Sequence, residues 1–259
     1  MTNSPDRNGA SSAIVGEDLA ELARARSETI NLVQWPARVA NSYVTSSPPE
    51  RRTDLDFRRA DTAFVTQRFA DGVALEMRLP DLHLQFLHNG KAVPHVFDPH
   101  ERSPAEAEAW ILVELLHRGI DREKFSKKLP YAIPGLLTGD AEDYAPQACR
   151  KGLIQLTDWF GKAVAVLEAG AHARGVDQAH IICLPQTLNL TLAPLSGAKS
   201  IQLGFSPGDT ENPEPYFYAG GEPDPTSPRP ARAIVSGSKL LAQGDAVRAA
   251  TTLLKMATS

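Results

Sequence analysis

The chain has few cysteines, no excess of basic residues and no long apolar run, and each absence excludes a class of protein. Its two cysteines among 259 residues, Cys149 and Cys183, lie in no metal-ligand spacing, so a zinc knuckle is not expected. The formal net charge is -4, whereas a nucleic-acid-binding protein typically has an excess of basic residues. Because no apolar run approaches the roughly 20 residues that span a bilayer, no membrane partner is expected.

Several motifs of catalysis and cofactor binding are also missing. The chain has no G-x-S-x-G nucleophile elbow, no G-x-x-x-x-G-K-[ST] phosphate loop and no G-x-G-x-x-G dinucleotide loop. We therefore expect no cofactor. The first residues lack the basic and apolar regions of a secretory signal, and together with the scarcity of cysteine this predicts a cytoplasmic protein. The sequence carries no indication of an oligomeric state.

The sequence of the N-terminal half predicts a helix followed by a β-meander. Residues 1–14 are small and polar, and we expect them to be disordered. Residues 17–44 are rich in helix formers, and Pro36 is expected to break or kink that helix. Residues 61–97 form short runs of alternating polarity separated by Asp-Gly and Asn-Gly, which predicts an antiparallel meander.

A capped helix is expected after the meander. Ser103 as N-cap, Pro104 at the first helical position and Glu106 at the third form a capping-box pattern, and Gly119 provides a C-terminal stop. The stripe expected to pack on the meander consists of Ala105, Ala109, Leu112 and Leu116.

The second half repeats this plan of sheet and helix. A helix at about 144–174 has an apolar stripe of Cys149, Leu153, Leu156, Phe160, Val164, Leu167 and Ala171. Two strands at 187–192 and 200–205 alternate in polarity, and a last helix at 238–257 has an expected interruption near Gly244. We predict an α+β protein of two antiparallel sheet-plus-helix halves, residues 15–130 and 140–259, either separate or packed as one body.

The polar face of the second sheet is the predicted ligand site. Its side chains are short hydrogen-bonding groups and tyrosines rather than the lysines and glutamates of a solvated face, and such groups orient small molecules in binding sites. A merely solvated face is the alternative. The predicted ligand-binding residues are Gln186, Thr187, Asn189, Gln202, Ser206 and Tyr218.

The stretch "GFSPGDTENPEPYFY" supplies the candidate catalytic groups. Pro207-Gly208 fits a type II turn that would project Asp209 at a sheet edge, with Glu214 nearby. We expect both carboxylates to face one cavity within one water of each other, as general acid and base, with Tyr216 as a hydrogen-bond donor. An ordinary exposed turn is the alternative, and the spacing matches no calcium loop.

These segments resemble a family of uncharacterised bacterial proteins. Its C-terminal halves carry Trp-Pro-His-His-Phe-Asp on one strand, then Ser-Pro-Gly-Asp and Glu-Pro-Tyr with an aromatic pair. The matching segments here are "GFSPGD" at 204–209 and "EPYFY" at 214–218, preceded by a similar helix, "LTDWFGKAVAVLEA". The resemblance covers about residues 140–225 and implies a shared pocket.

This chain differs from the family in the first of these motifs. "LPQTLN" keeps only Pro185, while Gln186 and Thr187 stand in place of the two histidines and Asn189 in place of the aspartate. Glutamine, threonine and asparagine retain hydrogen bonding but do not titrate near neutral pH. The departure therefore favours ligand binding over any metal or proton-transfer chemistry.

One dense group of histidines lies elsewhere, at residues 83, 88, 95 and 100, beside Asp98. His83 and His88 differ by an odd number on one strand, so they are expected to face opposite sides of the sheet. No metal site is predicted there.

Three functions remain open from the sequence. The first is a small-molecule-binding protein, or a degenerate relative of an enzyme, with its site on the second sheet. The second is a hydrolase-like enzyme that uses Asp209 and Glu214. The third is an interaction module whose Pro-rich segment 222–230 contacts a partner protein.

Overall fold

The computed structural model of the chain describes residues 16–192, 202–220 and 231–258. The predicted disorder of residues 1–14 and the Pro-rich segment 222–230 therefore lie outside the described residues. No helix in the described part is both long and apolar enough to cross a membrane.

The described residues form five α-helices and ten β-strands. The helices are α1 (Gly16–Tyr43), α2 (Pro104–His117), α3 (Arg150–His172), α4 (Gly237–Leu241) and α5 (Ala246–Thr258). The strands are β1 (Leu55–Arg58), β2 (Ala63–Val65), β3 (Val73–Arg78), β4 (His83–His88), β5 (Lys91–Phe97), β6 (Ile181–Leu184), β7 (Asn189–Leu192), β8 (Gln202–Ser206), β9 (Tyr216–Gly220) and β10 (Ala231–Ser236).

All ten strands belong to one antiparallel sheet in the order β10-β9-β8-β7-β6-β1-β2-β3-β4-β5. Each half contributes a five-stranded meander, and the first strands of the two meanders pair at the centre, where Leu55 lies opposite Cys183. The α+β fold class is confirmed. The two predicted halves share a single continuous sheet.

Both halves follow the same order of helix, five-stranded meander and helix. Helix α1 precedes the first meander and α3 precedes the second, and these two helices pack against each other. Gln34 on α1 reaches the second half, where its Nε2 donates a buried hydrogen bond to the carbonyl oxygen of Pro185 at 2.8 Å. Helix α1 therefore contacts the elements of both meanders.

The main core lies between these helices and one face of the sheet. The predicted stripe of α3 is buried, and its Phe160 ring contacts the rings of Phe64 and Phe205 edge to face. Trp159 stacks on Phe205 with ring centroids 6.3 Å apart. The apolar residues of β8 and β9 therefore point toward α3, which leaves their polar residues on the opposite face.

Local signals in the sequence predicted two hairpin turns and a helix cap. Asp71, Gly72, Asn89 and Gly90 all have positive φ, as the hairpin assignment requires. Ser103 and Glu106 form the predicted capping box at the start of α2. Helix α1, however, continues through Pro36, and the sequence analysis missed β1, the strand that joins the two halves.

The predicted buried stripe of α2 is wrong. Ala109 and Leu116 are exposed, whereas the buried residues of the helix are Pro104, Ala107, Ile111, Glu114 and Leu115. The face of α2 that is buried contains a glutamate. Because this charged residue interrupts the helical period of the apolar residues around it, the sequence pattern did not indicate that face. A buried glutamate needs a compensating partner, so the same residue points to a local charge cluster.

Candidate functional site

The polar face of the second meander is buried. Strand register places Tyr218, Gly204 and Thr191 in one row across β9, β8 and β7, and Ser206 with Tyr216 in the next. Thr191 is 1% exposed, Ser206 2%, Tyr218 7% and Tyr216 8%. A solvated sheet face would leave these side chains open to water, so their burial does not fit the alternative of a simple solvated face.

Tyr218 occupies the middle of this face. A Cβ atom on Gly204 would lie 2.0 Å from Cζ of Tyr218, so only glycine leaves space for the ring. Burial raises the pKa of Tyr218 above its ordinary value, while a hydrogen bond with the Thr191 side chain acts in the opposite direction. Gln202 Nε2 donates to Thr191 Oγ1 at 2.7 Å. These side chains form a connected polar network across three strands.

Residues 185–188, which include Gln186 and Thr187, form a hairpin turn and are not part of a strand. The backbone N–H groups of Thr187 and Leu188 donate to the carbonyl oxygen of Leu184, and Leu188 has a φ of 60°. Thr187 Oγ1 accepts a hydrogen bond from the Asn189 N–H. Gln186 and Thr187 therefore lie at the end of the polar face, with Asn189 as the first residue of β7.

Three predicted ligand-binding residues carry buried oxygens without a hydrogen-bond partner among the described residues. They are the side-chain amide oxygens of Gln186, Asn189 and Gln202. Most buried polar atoms in folded proteins have a partner, and each that lacks one requires a physical explanation. Gln202 belongs to the polar network through Thr191, whereas Gln186 and Asn189 lie at the hairpin turn between β6 and β7.

Asp209 organises the loop that follows β8. Its Oδ1 accepts hydrogen bonds from the N–H groups of Glu211 at 2.8 Å and Asn212 at 2.7 Å, and its Oδ2 accepts from the Tyr216 hydroxyl at 2.8 Å. Gly208 has a φ of 104°, as the predicted type II turn requires. The structure thus joins Asp209 and Tyr216 directly.

Arg26 on α1 holds the two ends of this loop together. Its Nη1 donates to the carbonyl oxygens of Pro207 at 2.9 Å and Pro213 at 3.0 Å. Burial lowers the pKa of Arg26, and the nearby Asp209 and Tyr216 partly offset this effect. The sequence analysis did not identify Arg26, because its partners lie more than 180 positions away along the chain.

Glu214 has a different structural setting from Asp209. Its Oε1 accepts hydrogen bonds from Ser236 Oγ at 2.8 Å and from the Ser238 N–H at 3.3 Å, at the start of α4. Burial alone would raise the pKa of Glu214, but the hydrogen bonds from Ser238 and Ser236 lower it overall. The two proposed catalytic carboxylates each bind their own set of groups, and their sharing of one cavity stays a prediction.

The cavities found along the described chain include one of about 590 Å³ against the first half, lined by Tyr43, His88, His117 and Asp121 among others. Near it, His95, Glu114 and His117 form a group whose ligand atoms lie within 4.8 Å of one another. Sequence reasoning missed this group because it considered only the histidines on neighbouring strands. The Glu-x-x-His spacing on α2 was the available signal.

The chain matches no protein-family model, and no curated protein or solved structure is significantly similar to it. The resemblance of its SPGD and EPY segments to a bacterial family therefore stays a prediction. Any functional conclusion depends on the geometry of the described side chains.

Proposed function

We propose that the protein binds a small organic molecule along the polar face of its second meander. The observation that carries this proposal is the set of three buried amide oxygens, on Gln186, Asn189 and Gln202, that accept no hydrogen bond from a described residue. Leaving a buried acceptor unpaired costs about 1–3 kcal/mol. A ligand that donates hydrogen bonds to these oxygens would recover that free energy.

The positions of the acceptors suggest the shape of the ligand. The register of β7 and β8 pairs Leu190 with Phe205 and Thr191 with Gly204, so Asn189 lies at one end of this pairing, while Gln202 is the first residue of β8 at the other end. The Gln202 amide reaches back along the face, because its Nε2 donates to Thr191 Oγ1 at 2.7 Å, and Thr191 is two residues, about 7 Å, from Asn189. A compact ligand with two N–H or O–H donors could therefore reach the acceptors of both residues.

The surroundings of Asp209 and Glu214 favour ligand binding over a hydrolase function. A general base needs a carboxylate oxygen within reach of the substrate and a pKa near the working pH. Both oxygens of Asp209 already accept hydrogen bonds, Oδ1 from its own loop and Oδ2 from Tyr216 on β9, and the pKa of Glu214 is lowered. These features favour structural roles for the two carboxylates.

A thermal-shift screen of a metabolite library tests the proposal. The natural protein is compared with Asn189→Ala and Gln202→Ala, which each remove one unpaired acceptor. Compounds that bind at the proposed face should raise the melting temperature of the natural protein and shift each variant less, because stabilisation by a ligand depends on its affinity.

A matched control is Gln85→Ala, on the first meander. Gln85 Nε2 already donates to the carbonyl oxygen of Val93 at 2.7 Å, so this variant should respond to the ligand like the natural protein. If no compound shifts the natural protein, or if hits shift all four proteins equally, the face is not the binding site.

A further inference from the structure

A second group of polar residues lies at the far end of the sheet, on β5 and α2. Nδ1 of His95 lies 3.2 Å from Oε1 of Glu114, and Nδ1 of His117 lies 3.6 Å from the same oxygen. Glu114 and His117 are separated by one helical turn on α2, so their side chains share a face. The strand β5 brings His95 to them.

The spacing of these three ligand atoms suits a metal ion. Nitrogen and oxygen ligands bind Zn²⁺ at about 2.0–2.2 Å, and in tetrahedral geometry neighbouring ligand atoms are then about 3.3 Å apart. The two distances to Oε1 are close to this value, and all three ligand atoms lie within 4.8 Å of one another. Small side-chain movements would complete the coordination.

Glu114 is held in place as ligating carboxylates commonly are. Its side chain is 3% exposed, and Nη1 of Arg118 lies 2.7 Å from its Oε2, the oxygen that does not face the histidines. The guanidinium of Arg118 also lies over the ring of Phe86, 4.5 Å from its centroid. Outer partners of this kind fix the orientation of a metal ligand, and Oε1 stays directed at the histidines.

The backbone at His95 departs from regular strand geometry. His95 has a φ of 73°, and the pairing of β4 with β5 shifts register between Gln85 and Leu87. A positive φ is costly for a residue other than glycine and is often found at functional positions. The irregularity lies at the residue that completes the group with Glu114 and His117.

We propose that His95, Glu114 and His117 bind a divalent transition-metal ion, with Zn²⁺ as the best match. Two imidazoles and one carboxylate are the ligand set of several catalytic zinc sites, where the remaining position is open. Both histidine side chains are more than half exposed, at 66% and 56%, so an ion can enter from solvent. His117 also lines the cavity of about 590 Å³, so the site lies at the rim of that cavity.

Equilibrium dialysis of the tag-free, chelator-treated protein against Zn²⁺, followed by elemental analysis, tests this site. The natural protein should retain about one ion per chain. His95→Ala and His117→Ala each remove one of three ligands and should lower zinc affinity by at least about tenfold, since even outer-partner changes at metal sites cost about 10–100-fold. Co²⁺ in place of Zn²⁺ should give visible absorption that both variants lose.

The matched control is His88→Ala. His88 lines the same cavity but is outside the group of three ligands, so its removal should leave zinc binding unchanged. Circular dichroism of each variant checks that the fold is intact. The proposal is overturned if the natural protein retains no zinc, or if His95→Ala and His117→Ala bind it as well as the natural protein does. In that case the two histidines serve only as partners of a buried carboxylate.

Discussion

The hydroxyl of Tyr216 donates a hydrogen bond to Oδ2 of Asp209 at 2.8 Å. This bond joins the Ser-Pro-Gly-Asp turn to the first residue of β9, while Arg26 binds the carbonyl oxygens on both sides of the loop. The Ser-Pro-Gly-Asp turn and the Glu-Pro-Tyr segment are therefore parts of one structural unit. In this unit Asp209 and Tyr216 hold the loop against β9 through their hydrogen bonds.

Asp209→Ala should destabilise the protein markedly. The substitution removes the acceptor of two backbone N–H groups and of the Tyr216 hydroxyl, and we expect a loss of about 1–3 kcal/mol in the free energy of unfolding. Urea unfolding measures it. Thr210→Ala, at an exposed position of the same loop, is the control and should stay within about 0.5 kcal/mol of the natural protein. Equal effects would mean that Asp209 does not organise the loop.

Gly208→Ala should be more harmful than an ordinary glycine substitution. Gly208 has a φ of 104°, and an added Cβ would lie 2.1 Å from Nη1 of Arg26. Gly135→Ala is the control, because Gly135 has a φ of 70° and open space around the added atom. The control carries only the backbone cost of about 1 kcal/mol. The excess loss in Gly208→Ala therefore measures the displacement of Arg26 together with that of the Pro213 backbone, whose carbonyl oxygen would lie 2.5 Å from the added atom. Similar unfolding curves for the two variants would contradict this reading.

The stability of the protein should fall in alkaline solution, partly through Tyr144. Burial raises the pKa of Tyr144 to about 12, against a hydrogen bond from Trp35 that lowers it, whereas an unfolded tyrosine titrates near 10. The folded state therefore favours the neutral phenol. This contribution is complete below about pH 10 and is lost as the pH rises through 12; its size is on the order of 2 kcal/mol.

Tyr144→Phe isolates that contribution. The variant should be less stable near neutral pH, because Trp35 Nε1 loses the hydroxyl that accepts its hydrogen bond at 2.8 Å. Its stability should then fall less than that of the natural protein between about pH 9 and pH 12. Urea unfolding at several pH values compares the two slopes, and parallel slopes would exclude Tyr144 as a source of the alkaline loss.

Both cysteines should be unreactive in the folded protein. Cys149 and Cys183 are buried, and burial raises the pKa of the Cys149 thiol to about 11. Since the thiolate is the reactive form, a thiol-specific disulfide reagent near pH 8 should label neither residue until denaturant is added. Rapid labelling of one thiol in the native protein would show local opening around it.

The parts of the fold that the sequence predicted are those that depend on neighbouring residues. The capping box at Ser103 and the Asp-Gly and Asn-Gly hairpins need only a few adjacent positions. The pairing of Leu55 with Cys183 depends on two short strands more than 120 residues apart, and no local pattern indicates it. The buried face of α2 was missed because Glu114 interrupts its apolar period.

The candidate sites, too, were predictable only where residues near one another in the sequence carry the signal. The polar residues of β7 to β9 were found through their alternation with apolar residues. Whether that face was buried or solvated depended on tertiary packing, and Arg26, which holds the neighbouring loop, approaches from a distant helix. The group of His95, Glu114 and His117 combines a strand and a helix, so it becomes visible only when the two elements are placed together.

Asn189→Leu should make the protein more stable in urea unfolding and should weaken the binding of any compound that the proposed site holds. Asn189 Oδ1 is buried without a partner among the described residues, and leucine has a similar shape without that acceptor. Replacing an unpaired buried acceptor with an apolar group should raise the free energy of unfolding by about 1 kcal/mol. In Gln85→Met, the control, the lost group is hydrogen-bonded to Val93, so stability should fall. A destabilised Asn189→Leu would mean that the amide already has a partner, so that no ligand is needed to satisfy it.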